Sequence, residues 1–212
     1  MPGFQLPKIY PITDPEISGL THREQVELLI AGGARMIQLR DKNASPRDFY
    51  TTAKDALDVA RKHHVLLIIN DRVDIALALG ADGVHLGQDD LPPEKARLIL
   101  GDAAIIGFST HSIEQAARAA KLPVDYIAIG PIFTTRSKRD PDAEVGLRGI
   151  EKVRQVIGTM PLVAIGGITG ETLASVLAAG ADSAAMIGAL LADPARIEHR
   201  VAEMIRMAAD NG

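Results

Sequence analysis

The sequence predicts a single-domain (β/α)8 barrel of the TIM type, an α/β fold with parallel strands. Short aliphatic runs alternate eight times with segments of helical period, as expected for parallel strands joined by crossover helices. The 212 residues fit one domain, and a doubly wound sheet more often has five or six strands. Aromatic residues make up only 3% of the chain, so aliphatic side chains must fill the interior.

Each predicted strand is a near-continuous apolar run, which is typical of strands buried on both faces. The eight predicted strands are residues 8–12, 36–40, 65–69, 83–86, 104–108, 126–129, 162–165 and 183–187.

Helix boundaries between these strands are marked by capping residues and glycines. Thr21-x-x-Glu24 and Ser112-x-x-Gln115 fit the capping box, and Ser45-Pro46 supplies an N-cap followed by proline. Gly33, Gly80 and Gly180 are predicted to end helices in the left-handed conformation. The segments 79–82 and 179–182 have nearly the same sequence, Leu-Gly-Ala-Asp and Ala-Gly-Ala-Asp. They indicate the same helix-to-strand junction in two repeated β-α units. The longest irregular segment, residues 134–148, follows strand six and is predicted to be an active-site loop.

Composition and charge exclude several classes of protein. A net charge of −4 provides no broad positive field for a nucleic acid. The absence of cysteine excludes disulfides, thiolate metal sites and cysteine nucleophiles, and it permits a reducing compartment. We expect a cytoplasmic protein with no signal peptide and no membrane span, because the longest charge-free stretch, 155–170, contains proline and several glycines.

Polar residues follow the predicted strands, and the carboxyl ends of parallel strands form one rim of the barrel. Glycines at Gly166, Gly167 and Gly188 follow strands seven and eight, where barrels frequently bind phosphate through backbone N–H groups. Each glycine alone is more often a tight turn, but two such loops in the two expected places favour a phosphate site.

A second anion site is predicted on the same rim from its cations and hydroxyls. Arg40, Lys42 and Lys138 supply the cations, and Thr135 and Ser137 supply hydroxyl donors.

Two carboxylates end neighbouring strands beside these cations. Asp71 follows strand three and Asp90 follows strand four, and a pair of carboxylates beside phosphate-binding groups suits Mg²⁺. Asp90 could instead cap the helix that begins near Pro92. The sequence favours the metal.

The histidines and the common motifs indicate less. His85 is predicted to fill the barrel interior, whereas His111 could contact a ligand or belong to a helix entrance. The chain has no P-loop, Rossmann or H-E-x-x-H motif, and Gly107 to His111 resembles a nucleophile elbow without its closing glycine. A serine hydrolase is therefore disfavoured.

The ordered motifs of this chain resemble the thiamine-phosphate synthase (thiamine-phosphate pyrophosphorylase) family over nearly its whole length. The motifs that carry the resemblance are Gln38 to Lys42, Ile69 to Arg72, Gly83 to Asp90, Gly107 to His111, Gly130 to Phe133 leading to Lys138, and Ala164 to Ile168.

The resemblance implies a Mg²⁺-dependent enzyme that joins a pyrimidine pyrophosphate to a thiazole phosphate through a pyrimidine cation, in thiamine biosynthesis. It implies that Asp71 and Asp90 bind the Mg²⁺ and that Lys138 binds the pyrophosphate. The implied contacts with the pyrimidine pyrophosphate are Gln38, Arg40, Lys42, Asn70 and Ser109, with Thr135 and Ser137 near the phosphates. The implied contacts with the thiazole phosphate are Gly167, Ile187 and Gly188. Of these residues, Lys138, Ser109, Arg40 and Lys42 are expected to take part in the chemical step.

Two positions depart from the family pattern, and one cation has no implied role. Ser137 stands where threonine is usual, and Gly188 stands where serine is common. Both changes keep a hydrogen-bonding group, so neither is expected to abolish binding. Arg136 remains unassigned.

Three alternatives remain open on the sequence. A thiazole tautomerase of the same fold would use His85 or His111, but it needs neither a metal nor a pyrophosphate clamp. A Schiff-base aldolase would use Lys138 or Lys42. A non-catalytic binder of phosphate ligands would be expected to lack some clamp residue. Homo-oligomer formation is possible on this sequence.

Overall fold

A computed structural model describes residues 5–135 and 143–210 of the chain. Its strands are β1 (Ile9–Pro11), β2 (Met36–Leu39), β3 (Leu66–Asn70), β4 (Gly83–Leu86), β5 (Ile105–Thr110), β6 (Tyr126–Ile129), β7 (Leu162–Ile165) and β8 (Ser183–Met186). Its helices are α1 (Pro15–Ser18), α2 (His22–Ala31), α3 (Pro46–Lys62), α4 (Val73–Leu79), α5 (Pro93–Leu100), α6 (Ile113–Ala119), α7 (Gly146–Ile157), α8 (Gly170–Ala178), α9 (Gly188–Leu191) and α10 (Ile197–Ala209), with a 3-10 helix at Pro194–Arg196.

The eight strands form one parallel sheet in the order β1-β8-β7-β6-β5-β4-β3-β2. A parallel bridge between Ile12 and Gln38 joins the two ends of this order, and the N–H of Thr13 donates to the carbonyl of Gln38 at 2.9 Å. The ring of strands is thereby closed. The predicted (β/α)8 architecture is confirmed.

Two layers of buried side chains stabilise the barrel. The larger layer lies between strands and helices and includes Leu29, Leu57 and Ile106. The smaller layer fills the inside of the ring with alternate strand residues, among them Tyr10 and Tyr126. Two of the three tyrosines of the chain therefore lie in the centre of the barrel.

Most predicted boundaries are close to the observed ones. β4, β6 and β7 have the predicted bounds, and Thr21 forms a full capping box with Glu24. Ser112 accepts from the N–H of Gln115, but the Gln115 side chain accepts from the N–H of His111 instead, so this box is incomplete. Gly33, Gly80 and Gly180 all have positive φ, as predicted.

Several predictions near the rim were wrong in detail. β5 extends to Thr110, so Ser109 lies within the strand rather than after it, and Ile187 precedes α9 rather than ending β8. The predicted loop 134–148 ends earlier, because α7 begins at Gly146. Its residues 136–142 lie outside the described residues. No helix in the described part of the chain is long and apolar enough to cross a membrane.

Candidate active site

The carboxyl ends of the eight parallel strands bring most of the described candidate residues to one rim. Arg40 and Lys42 follow β2, Asn70 ends β3, and Asp71 comes directly after it. On the far side of the ring, Gly167 follows β7. Ile187 and Gly188 follow β8 at the entrance to α9. Ser137 and Lys138 lie outside the described residues.

A cation and two carboxylates meet where β2, β3 and β4 end. Lys42 Nζ lies 2.7 Å from Asp71 Oδ2, and the negative charge of Asp71 acts on the neighbouring Asp90 carboxyl. Asp90 Oδ2 accepts from the N–H of Gly87 at 2.7 Å. The N-cap of α5 is Pro92, so the alternative that Asp90 caps this helix was wrong.

The two carboxylates repel each other electrostatically. Burial raises the pKa of the Asp90 carboxyl, and the negative charge of Asp71 raises this pKa further, against the opposing effects of Lys42 and the Gly87 N–H. A cation bound by both groups would relieve this repulsion. The described residues contain no cluster of three or more His, Cys, Asp or Glu suited to a metal. The pair fits Mg²⁺, which commonly takes one or two protein carboxylates and completes its shell with water and substrate phosphates.

Arg40 is held in place by an acidic residue that the sequence analysis did not single out. Its Nη1 lies 2.6 Å from Asp14 Oδ2, and both side chains are largely buried. The other oxygen of Asp14 accepts from the backbone N–H groups of Glu16 and Ile17 at the start of α1. Asp14 thus caps α1 and orients the guanidinium. The position of Asp14 just after the first predicted strand is the feature of the sequence that could have indicated this role.

Gln38 is almost completely buried and points into the barrel, where its Nε2 donates to Tyr10 Oη at 3.2 Å. His85 is also inside the barrel, as predicted. Its Nδ1 lies 2.9 Å from Tyr126 Oη, and its Nε2 lies 2.8 Å from Ser109 Oγ. The contributions of Tyr10 and Tyr126 were missed, because tyrosine in a strand pattern indicates packing as readily as polar contact.

The Ser109–His85 contact has the distance of a nucleophile and its general base. Burial lowers the pKa of His85 to about 4, so its imidazole is a weak base at neutral pH. Its second nitrogen faces a tyrosine hydroxyl rather than a carboxylate. The pair is therefore poorly suited to serine hydrolysis, in agreement with the sequence analysis.

The loop after β6 packs against the glycine turn after β7. Phe133 N donates to the carbonyl of Gly166 at 3.1 Å. Gly167 has φ +65°, and a Cβ there would lie 2.5 Å from the carbonyl oxygen of Thr134. Only glycine satisfies both the conformation and the space. The partly exposed Thr135 follows directly, so its loop lies next to the predicted phosphate turn.

The fold and this rim define a (β/α)8 barrel protein in which carboxylates, cations and glycine turns are brought to the carboxyl ends of the strands. The family model described as thiamine monophosphate synthase matches residues 9–190. The chain belongs to the thiamine monophosphate synthase family.

Individual relatives agree with this assignment. The thiamine-phosphate synthase of Clostridium novyi is 48% identical over 185 residues, which cover 87% of this chain and 90% of the relative. The thiamine-phosphate synthase of Koribacter versatilis is 48% identical over 199 residues, covering 91% and 92%. The structure of thiamine phosphate pyrophosphorylase from Pyrococcus furiosus is 35% identical, covers 96% of both chains and superposes with a TM-score of 0.86.

Proposed function

We propose that this protein is a transferase that forms thiamine phosphate in thiamine biosynthesis. Its substrates are 4-amino-2-methyl-5-hydroxymethylpyrimidine pyrophosphate and 4-methyl-5-hydroxyethylthiazole phosphate, and its second product is pyrophosphate. The observation that carries this proposal is the 48% identity, over 91% of the chain, to a relative named for that product. The polar rim supports it, since its described residues include anion-binding and cation-binding groups.

The bond changes follow from the chemistry of the substrates. The C–O bond between the pyrimidine methylene and the diphosphate breaks, and its electron pair leaves with the diphosphate. The aminopyrimidine ring stabilises the resulting cation, and the lone pair of the thiazole nitrogen then forms the new C–N bond. This sequence needs no enzymic nucleophile, which agrees with the low basicity of His85.

Asp71 and Asp90 would hold the Mg²⁺ that, when bound, neutralises charge on the departing diphosphate. Arg40 and Lys42 add positive charge at the same rim, and the sequence assigns Lys138 to the same task. Asp14 orients Arg40, since their side chains form a 2.6 Å ion pair. The 2.7 Å pair between Lys42 and Asp71 keeps that lysine beside the metal carboxylates.

Gln38, Asn70 and Ser109 are assigned to the pyrimidine pyrophosphate, with Thr135 and Ser137 near its phosphates. Gly167, Ile187 and Gly188 are assigned to the thiazole phosphate, because they follow β7 and β8 on the opposite part of the rim. The connection between β6 and α7, which the sequence predicts to be an active-site loop, would exclude water from the pyrimidine cation. A cytoplasmic location and a homo-oligomer remain predictions.

A turnover assay tests the proposed reaction. Purified protein with both substrates and MgCl₂ should release thiamine phosphate and pyrophosphate in equal amounts, measured by ³¹P NMR, and excess chelator should stop the release. Proton exchange on the thiazole phosphate alone would indicate the tautomerase instead. Trapping of a substrate by borohydride would indicate the aldolase, and binding without turnover would indicate the non-catalytic binder.

The cationic route has its own test. Replacing the pyrimidine methyl group by trifluoromethyl should slow the single-turnover rate by several decades, because the substituent destabilises a positive ring and leaves the diphosphate unchanged. Each tenfold loss corresponds to about 1.4 kcal/mol of barrier. Similar rates for the two pyrimidines would refute the cationic route.

A further inference from the structure

Five polar side chains from five strands form a continuous hydrogen-bonded chain through the centre of the barrel. Gln38 Nε2 donates to Tyr10 Oη at 3.2 Å, and Tyr10 Oη lies 3.0 Å from Tyr126 Oη. Tyr126 Oη lies 2.9 Å from His85 Nδ1, and His85 Nε2 lies 2.8 Å from Ser109 Oγ. We call this set the central chain. Both of its ends are residues assigned above to the pyrimidine.

The packing around the central chain keeps its geometry fixed. The Tyr10 and Tyr126 rings meet edge to face at 83°, and the His85 ring stacks on Tyr126 with centroids 5.5 Å apart. A Cβ on Gly107 would lie 2.3 Å from Tyr126 Oη and 2.5 Å from His85 Nδ1. A larger residue at position 107 would therefore collide with the Tyr126–His85 contact. Glycine at this strand position keeps the space for it.

The direction of the hydrogen bonds follows from counting protons. The Gln38 amide nitrogen can only donate to Tyr10, so the Tyr10 hydroxyl proton is directed to its other partner, Tyr126 Oη. If each buried hydroxyl proton is to meet an acceptor among these contacts, Tyr126 donates to His85 Nδ1, and His85 carries its proton on Nε2 and donates it to Ser109 Oγ. The Ser109 hydroxyl proton is then left to donate to a ligand. The opposite direction would require Gln38 to present its carbonyl oxygen to Tyr10.

We propose that Tyr10, Tyr126 and His85 are positioning residues that fix which groups Gln38 and Ser109 present to the pyrimidine. With its nitrogen engaged by Tyr10, Gln38 offers its carbonyl oxygen as an acceptor, and Ser109 offers its hydroxyl as a donor. An exocyclic amino group donates to such a carbonyl, whereas an oxo group in its place would face it with another acceptor. The central chain thus selects an aminopyrimidine over an oxopyrimidine. This selectivity rests on the proposed function, but the direction of the hydrogen bonds in the central chain does not.

Nitrogen NMR of the ligand-free protein tests the direction independently of activity. With ¹⁵N-labelled histidine, and with the His85 signals assigned by their loss in His85→Gln, we expect an unprotonated Nδ1 and a protonated Nε2. In Tyr126→Phe, Nδ1 loses its donor and the signals should shift toward a mixture of tautomers. Tyr50→Phe, which changes the partly exposed third tyrosine on α3, should leave them unchanged. A proton on Nδ1 in the unmodified protein would overturn the proposal.

Binding measurements test the selectivity. Calorimetry without thiazole phosphate gives the dissociation constants of the amino- and oxopyrimidine pyrophosphates. We expect the preference for the amino compound to fall about three- to tenfold in Tyr126→Phe and in Tyr10→Phe, the effect of one lost hydrogen bond, and to persist in Tyr50→Phe. An unchanged preference in whichever of the two central variants folds cooperatively would overturn the selective role.

Double variants separate a positioning role from general loosening of the core. If Tyr126 acts through Ser109, then Tyr126→Phe should weaken binding less in a Ser109→Ala background than in the unmodified protein. Full additivity would contradict that route. Failure of the unmodified protein to form thiamine phosphate would count against the proposed function alone, since the NMR result does not depend on turnover.

Discussion

At the scale of single residues, Asp71 has an uncommon backbone conformation. Its φ is +61°, in the left-handed region that costs a non-glycine residue about 1–2 kcal/mol. The structure retains it through Asp71 N donating to His85 O at 2.8 Å and Arg72 N donating to Asn70 O at 2.7 Å. In this conformation its carboxylate meets Lys42 and Asp90. The strained position thus serves the assembly of the proposed metal site.

The metal assignment predicts unequal effects at three acidic positions. Asp71→Asn keeps a residue that tolerates left-handed backbone but removes the charge, and we expect it and Asp90→Ala to lower kcat/KM about 100-fold, or roughly 2.7 kcal/mol of barrier. Both should need more Mg²⁺ for half-maximal rate. Asp89→Ala, at the exposed neighbouring position, should stay within about twofold. Steady-state rates across a Mg²⁺ titration measure this, and equal losses at Asp89 and Asp90 would contradict the site.

The buried His85 predicts how stability changes with pH. Burial lowers its folded-state pKa to about 4 from the usual 6.5, so the unfolded chain binds more protons between these values. The stability due to neutral His85 is present above pH 6.5 and is lost as the pH falls toward 4. The free energy of unfolding should fall by roughly 2–3 kcal/mol from this residue between pH 7.5 and 4.5.

Urea unfolding of the unmodified protein and of His85→Gln at those two pH values checks this expectation. The acid-induced loss should be smaller in the variant by that amount. An equal loss in both proteins would mean that His85 remains able to ionise in the folded state.

Residue types at the rim were predictable from the sequence, whereas their contacts were not. Lys42, Asp71 and Asp90 could be grouped because a parallel barrel brings strand ends together. The Asp14–Arg40 pair and the Tyr10–Tyr126 contact depend on which way each side chain turns, and residue spacing alone does not determine that.

At the scale of elements, one acidic device recurs at the amino ends of the strands. Asp82, Asp125 and Asp182 each stand just before a strand, and each accepts through Oδ2 from a backbone N–H of the preceding strand, at Leu67, Ile106 and Leu162. Arginines on the helices pair with two of them, Arg97 with Asp125 and Arg154 with Asp182. The aspartate of the repeated Gly-Ala-Asp junction therefore has a structural role. It connects neighbouring strands at their amino ends, opposite the carboxyl rim.

This device predicts a change in stability without a change in catalysis. Asp125→Ala leaves the Ile106 N–H without its acceptor and removes the carboxylate partner of Arg97. We expect a loss of about 1–3 kcal/mol in the free energy of unfolding. Asp102→Ala, at an exposed position, should change it by less than about 0.5 kcal/mol. Urea unfolding measures both variants. A large loss of kcat in Asp125→Ala with unchanged stability would contradict this, because it would place catalytic groups at the amino ends of the strands.

Element boundaries were predictable where apolar runs and hydrogen bonding end together, as at Tyr126–Ile129. They were not predictable at β3 and β5, whose ladders continue through Asn70, Ser109 and Thr110. Polar side chains are placed on strands at the rim because they face the site, so an apolar pattern ends before the strand does.

At the scale of the whole molecule, the main hydrophobic core and the proposed active site lie in different parts of the barrel. The larger layer, between strands and helices, contains most of the buried aliphatic side chains. The carboxyl rim holds Arg40, Lys42, Asp71 and Asp90. Polar groups also enter the inner layer, where the central chain leads from the core to the rim. The architecture was predictable from eight alternating units, but a polar connection through an aliphatic interior had no signal in the sequence pattern.

The central claim is that the ends of β3 and β4 hold a divalent cation beside the bound diphosphate. Anomalous diffraction from crystals grown with Mn²⁺ in place of Mg²⁺, and with the pyrimidine pyrophosphate, tests it most directly. We predict one strong anomalous peak within coordinating distance of both Asp71 and Asp90 and of a diphosphate oxygen. A bound diphosphate with no peak between these two carboxylates, or with the metal held elsewhere, would contradict the account.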